Sequence, residues 1–311
     1  MSKRNKILIM LFFGVQCSIQ CFAQQRNSVG QGHPEELRNS AQQRSSKPKN
    51  TSDKQQNSDK YWLFHPTPKD QMREMETDRP DVTESPFTVD AGHFQYETDL
   101  LRFSHEQSDD KKIHTMLINQ GNLKVGITGS TAIQIGFQSF GRQVEKDQVT
   151  GARKVSSGIG DLTFRVKQNL TGNDAGNFAL AILPYIKVPT SKYDDQSRLE
   201  GGLILPMQFK LPGDWKLGLQ VEADRLKDID QQAMHTELLQ SLTISHELSK
   251  GLDGIAETYY TYDFKAHKWS NFINAAVQLD LAKDFKLDAG LNYGIQYTAA
   301  KQYFIGASCR F

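Results

Sequence analysis

The residues with chemical reach in this sequence are its charges, its histidines and a few glycine-rich spots, and most lack the spacing that catalysis needs. His246-Glu247 and His105-Glu106 each lack the second histidine of His-Glu-x-x-His, so neither presents two imidazoles to zinc. Gly158-Ile159-Gly160-Asp161 is too short for a nucleotide loop and does not precede a helix, and Gly-x-Ser-x-Gly is absent. His93, His105, His114, His235, His246 and His267 fall near strand ends or loops. There a solvated role is the plain reading, and service to a serine in a barrel-embedded hydrolase is the enzymatic one. The expectation is a non-enzyme with no cofactor and no metal.

The richer set is ionic. Glu97, Asp99, Lys124, Arg165, Lys167, Lys210, Glu222, Asp224, Asp288, Asn292, Gln296 and Arg310 face away from apolar neighbours in alternating segments. Charges enclosed by a protein must pair or meet water, because an isolated buried charge is very costly. Such a set either lines a wetted path for solutes or ties the walls of a barrel together. Both roles are open for each residue.

The elements that must position these charges read as strands. From Phe285 to Tyr297 every second residue is apolar (Phe285, Leu287, Ala289, Leu291, Tyr293, Ile295, Tyr297), and the pattern resumes as Tyr303, Ile305, Ala307, Cys309 and Phe311. A period of two is a strand. From Gly92 onward about twelve such segments follow one another, with Pro184 suggesting a bulge or kink in the fifth. Each suits a tilted membrane crossing of roughly 9 to 11 residues. Short turns alternate with longer polar links (106–112, 142–156, 189–200, 227–233, 265–269), which sorts them onto opposite rims. The fold expected is all-β, a closed antiparallel transmembrane barrel of about twelve strands over 92–311. Tyr259, Tyr260, Tyr262, Trp215 and Trp269 read as interfacial girdle.

Lys3, Arg4 and Lys6, then the apolar run Ile7 to Val15, then Cys21-Phe22-Ala23, read as a secretory signal over 1–23. Cleavage there removes Cys17 and Cys21, leaving only Cys309 and no internal disulfide. It also takes three of 37 basic residues against 36 acidic ones, so no basic excess points to nucleic acid. A mean hydropathy of −0.56 fits a barrel, which needs only alternate residues apolar. Residues 24–75 are rich in Gln, Ser, Asn and Lys and read as a disordered arm on the periplasmic side, with Tyr61-Trp62-Leu63-Phe64 as an aromatic island that reads first as a collapsed linker and second as a segment docked onto the barrel mouth.

Residues 76–91 form a charged, proline-containing lead-in: Glu76-Thr77-Asp78-Arg79-Pro80-Asp81-Val82-Thr83-Glu84-Ser85-Pro86-Phe87. Pro80 and Pro86 forbid a regular helix or central strand. The segment, with Asp78, Arg79 and Glu84 as its candidate contacts, reads as a plug of the mouth or a cap on the rim. This stretch resembles the opening of the outer-membrane family described as Putative MetA-pathway of phenol degradation, and Ser157-Gly158-Ile159-Gly160-Asp161-Leu162 resembles it by short motif. The resemblance implies a transporter-like role, passing aromatic or other small hydrophobic compounds, with outer-membrane lipid as partner. Lumen candidates for solute contact are Glu97, Asp99, Arg165, Lys167, Glu222, Asp224, Asp288 and Arg310. An even strand number implies both mature termini in the periplasm. Beside transport stand the hydrolase and a structural or surface-recognition barrel.

Overall fold

A computed structural model describes residues 60–194, 198–228 and 233–311. The signal over 1–23 and most of the expected arm lie outside them. The strands are β1 (Phe94–Gln107), β2 (Lys111–Gly126), β3 (Thr131–Asp147), β4 (Arg153–Gly158), β5 (Leu162–Thr171), β6 (Phe178–Val188) and β7 (Glu200–Lys210). There follow β8 (Lys216–Lys227), β9 (Met234–Ser249), β10 (Leu252–Asp263), β11 (Lys268–Ala282), β12 (Phe285–Gly294) and β13 (Lys301–Arg310).

Neighbours in sequence pair antiparallel except β4 and β5, which both pair with β3, and β1 pairs with β13, so the sheet closes on itself. The short β4 lies on the upper half of β3 and β5 on its lower half. Together they fill one wall position, giving a closed barrel of twelve. Closure through β1 and β13 is what lets strands cross hydrocarbon; the outer edge of the short β4 pairs with no strand.

One expected loop is a strand hairpin. Residues 142–156 mostly extend β3 and β4, and only 148–152 turn between them. The reason is that Arg142, Val144, Lys146, Arg153 and Val155 keep the period of two beyond the hydrocarbon. Likewise 106–112 narrows to a turn at 108–110. The other rim carries the turns 127–130, 172–177, 211–215, 250–251 and 283–284, together with the start of β1 and the end of β13. At Pro184 the chain stays paired with Leu203 of β7, but pairing with β5 lapses between Arg165–Tyr185 and Gln168–Ile182. Proline has no N–H to give that neighbour.

The wall alternates as a lipid-facing barrel must. Ile273, Val277, Leu279, Tyr303 and Ile305 point outward and exposed, while Asn274, Gln278, Ser308 and Arg310 are buried inside. Trp215 and Trp269 are exposed near opposite rims. Tyr259 departs from the expected girdle: it shares the parity of inward Glu257 and stacks on Phe272 with ring centroids 4.4 Å apart. The arm expected to be disordered is ordered over 60–75. Met75 is fully buried, Trp62 bridges Thr128, and Leu63 N–H donates to the Ile127 carbonyl at 2.8 Å. The aromatic island packs on itself, Tyr61 stacking on His65 and Trp62 meeting Phe64, and also docks on the β2–β3 turn, where its backbone groups find partners.

Candidate functional site

The lead-in runs through the barrel interior. Its residues bond to strands on every side of the wall, which a cap resting on the rim could not do. Asp78 N–H donates to Glu97 Oε2 at 3.0 Å, and the Asp78 carboxylate accepts from Lys167 Nζ at 2.5 Å and pairs with Lys124. Arg79 donates to Asp99 Oδ1 at 2.5 Å on β1 and to both oxygens of Asp288 on β12, at 3.1 and 2.5 Å. That second contact is a two-pronged guanidinium–carboxylate pair.

Further along, Val82 and Thr83 N–H groups reach the two oxygens of Glu257 on β10 at 3.0 and 2.7 Å. The Thr83 hydroxyl lies 2.6 Å from Glu257 Oε1 and 2.6 Å from Ser241 Oγ of β9. Glu84 N–H donates to Gln220 Oε1 of β8 at 2.7 Å, and its carboxylate takes Arg165 Nη1 at 2.5 Å. Lys167 and Asn169 on β5 donate to the carbonyls of Ser85 and Pro86 at 2.6 and 2.9 Å. A proline-containing segment has no ladder of its own, so wall side chains must satisfy its backbone. The polar wall residues supply that need.

Electrostatics divides the segment. Burial alone would raise the Asp78 carboxyl, but Lys124 and Lys167 hold it well below its ordinary range. Burial, reinforced by Glu257, holds Asp81 well above it. Asp78 is therefore ionised and pinned, and Asp81 retains its proton at pH values where an exposed aspartate has lost it.

Two cavities border the segment among the described residues. One, of about 310 Å³, lies toward the longer rim and reaches Arg102, Gln138 and Tyr193. The other, of about 70 Å³, lies toward the termini and reaches Lys216, Asp253 and Gln278. Arg79, Asp81 and Glu84 border both. Beside the larger one, buried Phe304 lies under two guanidinium groups, 5.5 Å from Arg79 and 4.8 Å from Arg102. Tyr193, from the link after β6, donates to Gln138 Oε1 at 2.6 Å and so hangs inward.

Of the sequence candidates, Glu97, Asp99, Arg165, Lys167 and Asp288 meet the lead-in through Asp78, Arg79 and Glu84. Glu222 and Asp224 form a separate acidic group. Gln220 donates to Glu222 at 2.8 Å and the Tyr185 hydroxyl to Asp224 at 2.6 Å. Arg310 sits at the terminal mouth, binding Asp90 at 3.0 Å and Asp284 at 2.6 Å. Lys210 is exposed at the end of β7, outside the network. Sequence reasoning did not single out Gln220, Ser241, Glu257, Arg102 or Phe304. A lone carboxylate in mid-strand was the available sign for Glu257, since such a group must find partners.

The histidines are occupied with structure. The ring nitrogens of His93 lie 2.8 and 2.7 Å from the carbonyls of Phe311 and Thr67. His235 contacts Asp228 at 2.8 Å, and His246 stacks on Trp215.

Residues 77–311 match the family described as Putative MetA-pathway of phenol degradation. Among solved structures, the chain resembles an outer-membrane channel from Pseudomonas putida F1 with a TM-score of 0.54 at 12% identity, over 76% of this chain and 100% of that one. The transport unit of the autotransporter AIDA-I from Escherichia coli gives 0.49 at 9% identity, over 76% and 93%. The NanC porin gives 0.44 at 9% identity, over 69% and 98%. At such identities the likeness is one of fold, that of an outer-membrane β-barrel. A comparison with curated protein sequences finds no match.

Proposed function

We propose that this chain, which belongs to the family described as Putative MetA-pathway of phenol degradation, is an outer-membrane channel closed at rest by its own residues 76–90. It acts by passage, not catalysis, and its solutes are small aromatic compounds bearing a polar or charged group. The observation that carries this reading is the lead-in bonded across the lumen with a chamber on each side of it. A segment held by ion pairs and side-chain bonds, and joined to the wall only where it leads into β1, can be displaced without unzipping the barrel. Arg102, Phe137 and Tyr193, which line the larger chamber, offer a cation and two aromatic rings to an aromatic anion. The rim bearing both described ends faces the periplasm in this reading, and the rim of longer links faces outward.

Planar-bilayer recording of the purified full chain tests the channel. We expect brief, small openings from the wild type and larger, sustained ones from Arg79→Gln. Liposome influx of benzoate exceeding that of a neutral sugar of similar size supports the solute class. Silence from both proteins, with heat-shifted electrophoretic mobility proving both folded, overturns the channel. Hydrolysis of lipid or peptide by the folded barrel, lost on changing His235, would replace it with the enzyme.

A further inference from the structure

The outward face near the longer rim shows a graded set of rows across β12, β13, β1, β2, β3 and β4. Residues directly paired across strands share a face, so each row can be followed from register. The lowest row is apolar: Ile305, Leu101, Ile118 and Phe140. The next is Tyr303, Phe103 and Met116, ending at Arg142. Above it lie Lys301, His105 and His114, the row passing on to Val144 and Val155 on β3 and β4, with Lys301 Nζ 4.8 Å from the Tyr293 ring. The top row is Gln107, Lys112, Lys146 and Arg153.

Successive rows are about 7 Å apart, since two residues advance a strand by that much. The Lys301 level and the Lys112, Lys146 and Arg153 level therefore stand about 7 and 13 Å beyond the aromatic row along the strands, or about 5 and 10 Å along the membrane normal for strands tilted near 40°, toward the lipid headgroups. Lys112, Lys146 and Arg153 are direct cross-strand neighbours with no acid among them. That is an unfavourable arrangement unless an anion lies over it. The acids of the same hairpins point the other way: Glu145 pairs with Lys111 at 2.8 Å, and Asp147 is opposite Lys111.

We propose that Lys301, Lys112, Lys146, Arg142 and Arg153 form an external seat for the phosphate groups of lipopolysaccharide. The apolar and aromatic rows below take its acyl chains. A polyanionic headgroup joined to several chains matches a face that turns from apolar to basic within two rows. The assignment rests on the reading that the longer rim faces outward.

The test uses the full-length chain refolded in detergent, free of cell lipid, and the anisotropy of fluorescent bisphosphorylated lipid A. We expect saturable binding that weakens with salt and falls at least tenfold in the Lys112→Gln/Lys146→Gln/Arg153→Gln variant. It should remain in a variant with Lys210, Lys250 and Lys283 changed to Gln. Heat-shifted mobility confirms that each variant is folded. Equal binding by the first variant, or equal affinity for phosphatidylglycerol, overturns the seat. Orientation is read separately: Val149→Cys, at the exposed β3–β4 tip, should be labelled on intact cells by a membrane-impermeant maleimide. Lipid A binding without that labelling defeats the outward orientation, and the lipopolysaccharide assignment with it.

Discussion

Arg79 and Asp288, 209 positions apart in the chain, meet in a two-pronged ion pair at the centre of the barrel, where the Asp288 side chain has no exposed surface. The same guanidinium holds Asp99. One lead-in residue thereby joins β12 and β1, on either side of the closing strand β13.

Arg79→Gln leaves Asp288 buried without its cation, while Asp99 keeps Arg102. Removing one partner of such a pair costs about 3–5 kcal/mol. We expect a lower urea midpoint and, at the single-channel level, larger conductance. Adding Asp288→Asn should recover part of the stability but not the closed state. Recovery of closure would show that Arg79 is not what holds the segment.

Gly306 offers a second route to the same state. A side chain at this position would overlap the Arg79 guanidinium, which lies directly over the glycine. Gly306→Val should reproduce the conductance of Arg79→Gln while retaining heat-shifted mobility. An unchanged closed channel would count against the lead-in as the barrier.

Thr83 and Ser241 allow a covalent test, their hydroxyl oxygens lying 2.6 Å apart. Cysteines at both positions should form a disulfide, the native Cys309 being buried elsewhere. The oxidised protein should be electrically silent and open on reduction. Equal conductance before and after reduction would mean that solutes pass beside the segment without moving it.

Asp81 predicts a pH response. Its carboxyl is raised in the docked segment by burial and by Glu257, so the docked state holds a proton that the released state gives up. Its contribution to docking is full below the ordinary aspartate range near 4 and is lost as pH rises through the higher docked value. Open probability should increase with pH across that window. Asp81→Asn should flatten the dependence toward the closed state, as followed by recordings at graded pH.

Much of the wall was legible from sequence because a period of two translates directly into facing: Glu97, Asp99, Lys167 and Asp288 point inward as their alternation requires. The legibility fails where the period slips. An extra residue at Leu100 in β1 against β13 turns Arg102 to the side of Asp99, which it binds at 2.7 Å. Alternation counted through the bulge would send that arginine into lipid. Phe304, an aromatic on the polar face, reads as an exception until Arg79 and Arg102 are seen on either side of it.

By itself the sequence determined the barrel, the inward charges and the lead-in's inability to be helix or central strand, since alternation and proline act locally. Only the tertiary structure decided that the lead-in threads the lumen. Its partners are Asp99, Lys167, Gln220, Glu257 and Asp288, carried by strands that become neighbours of one space only when β1 closes on β13. No local preference encodes which distant charge will face Arg79.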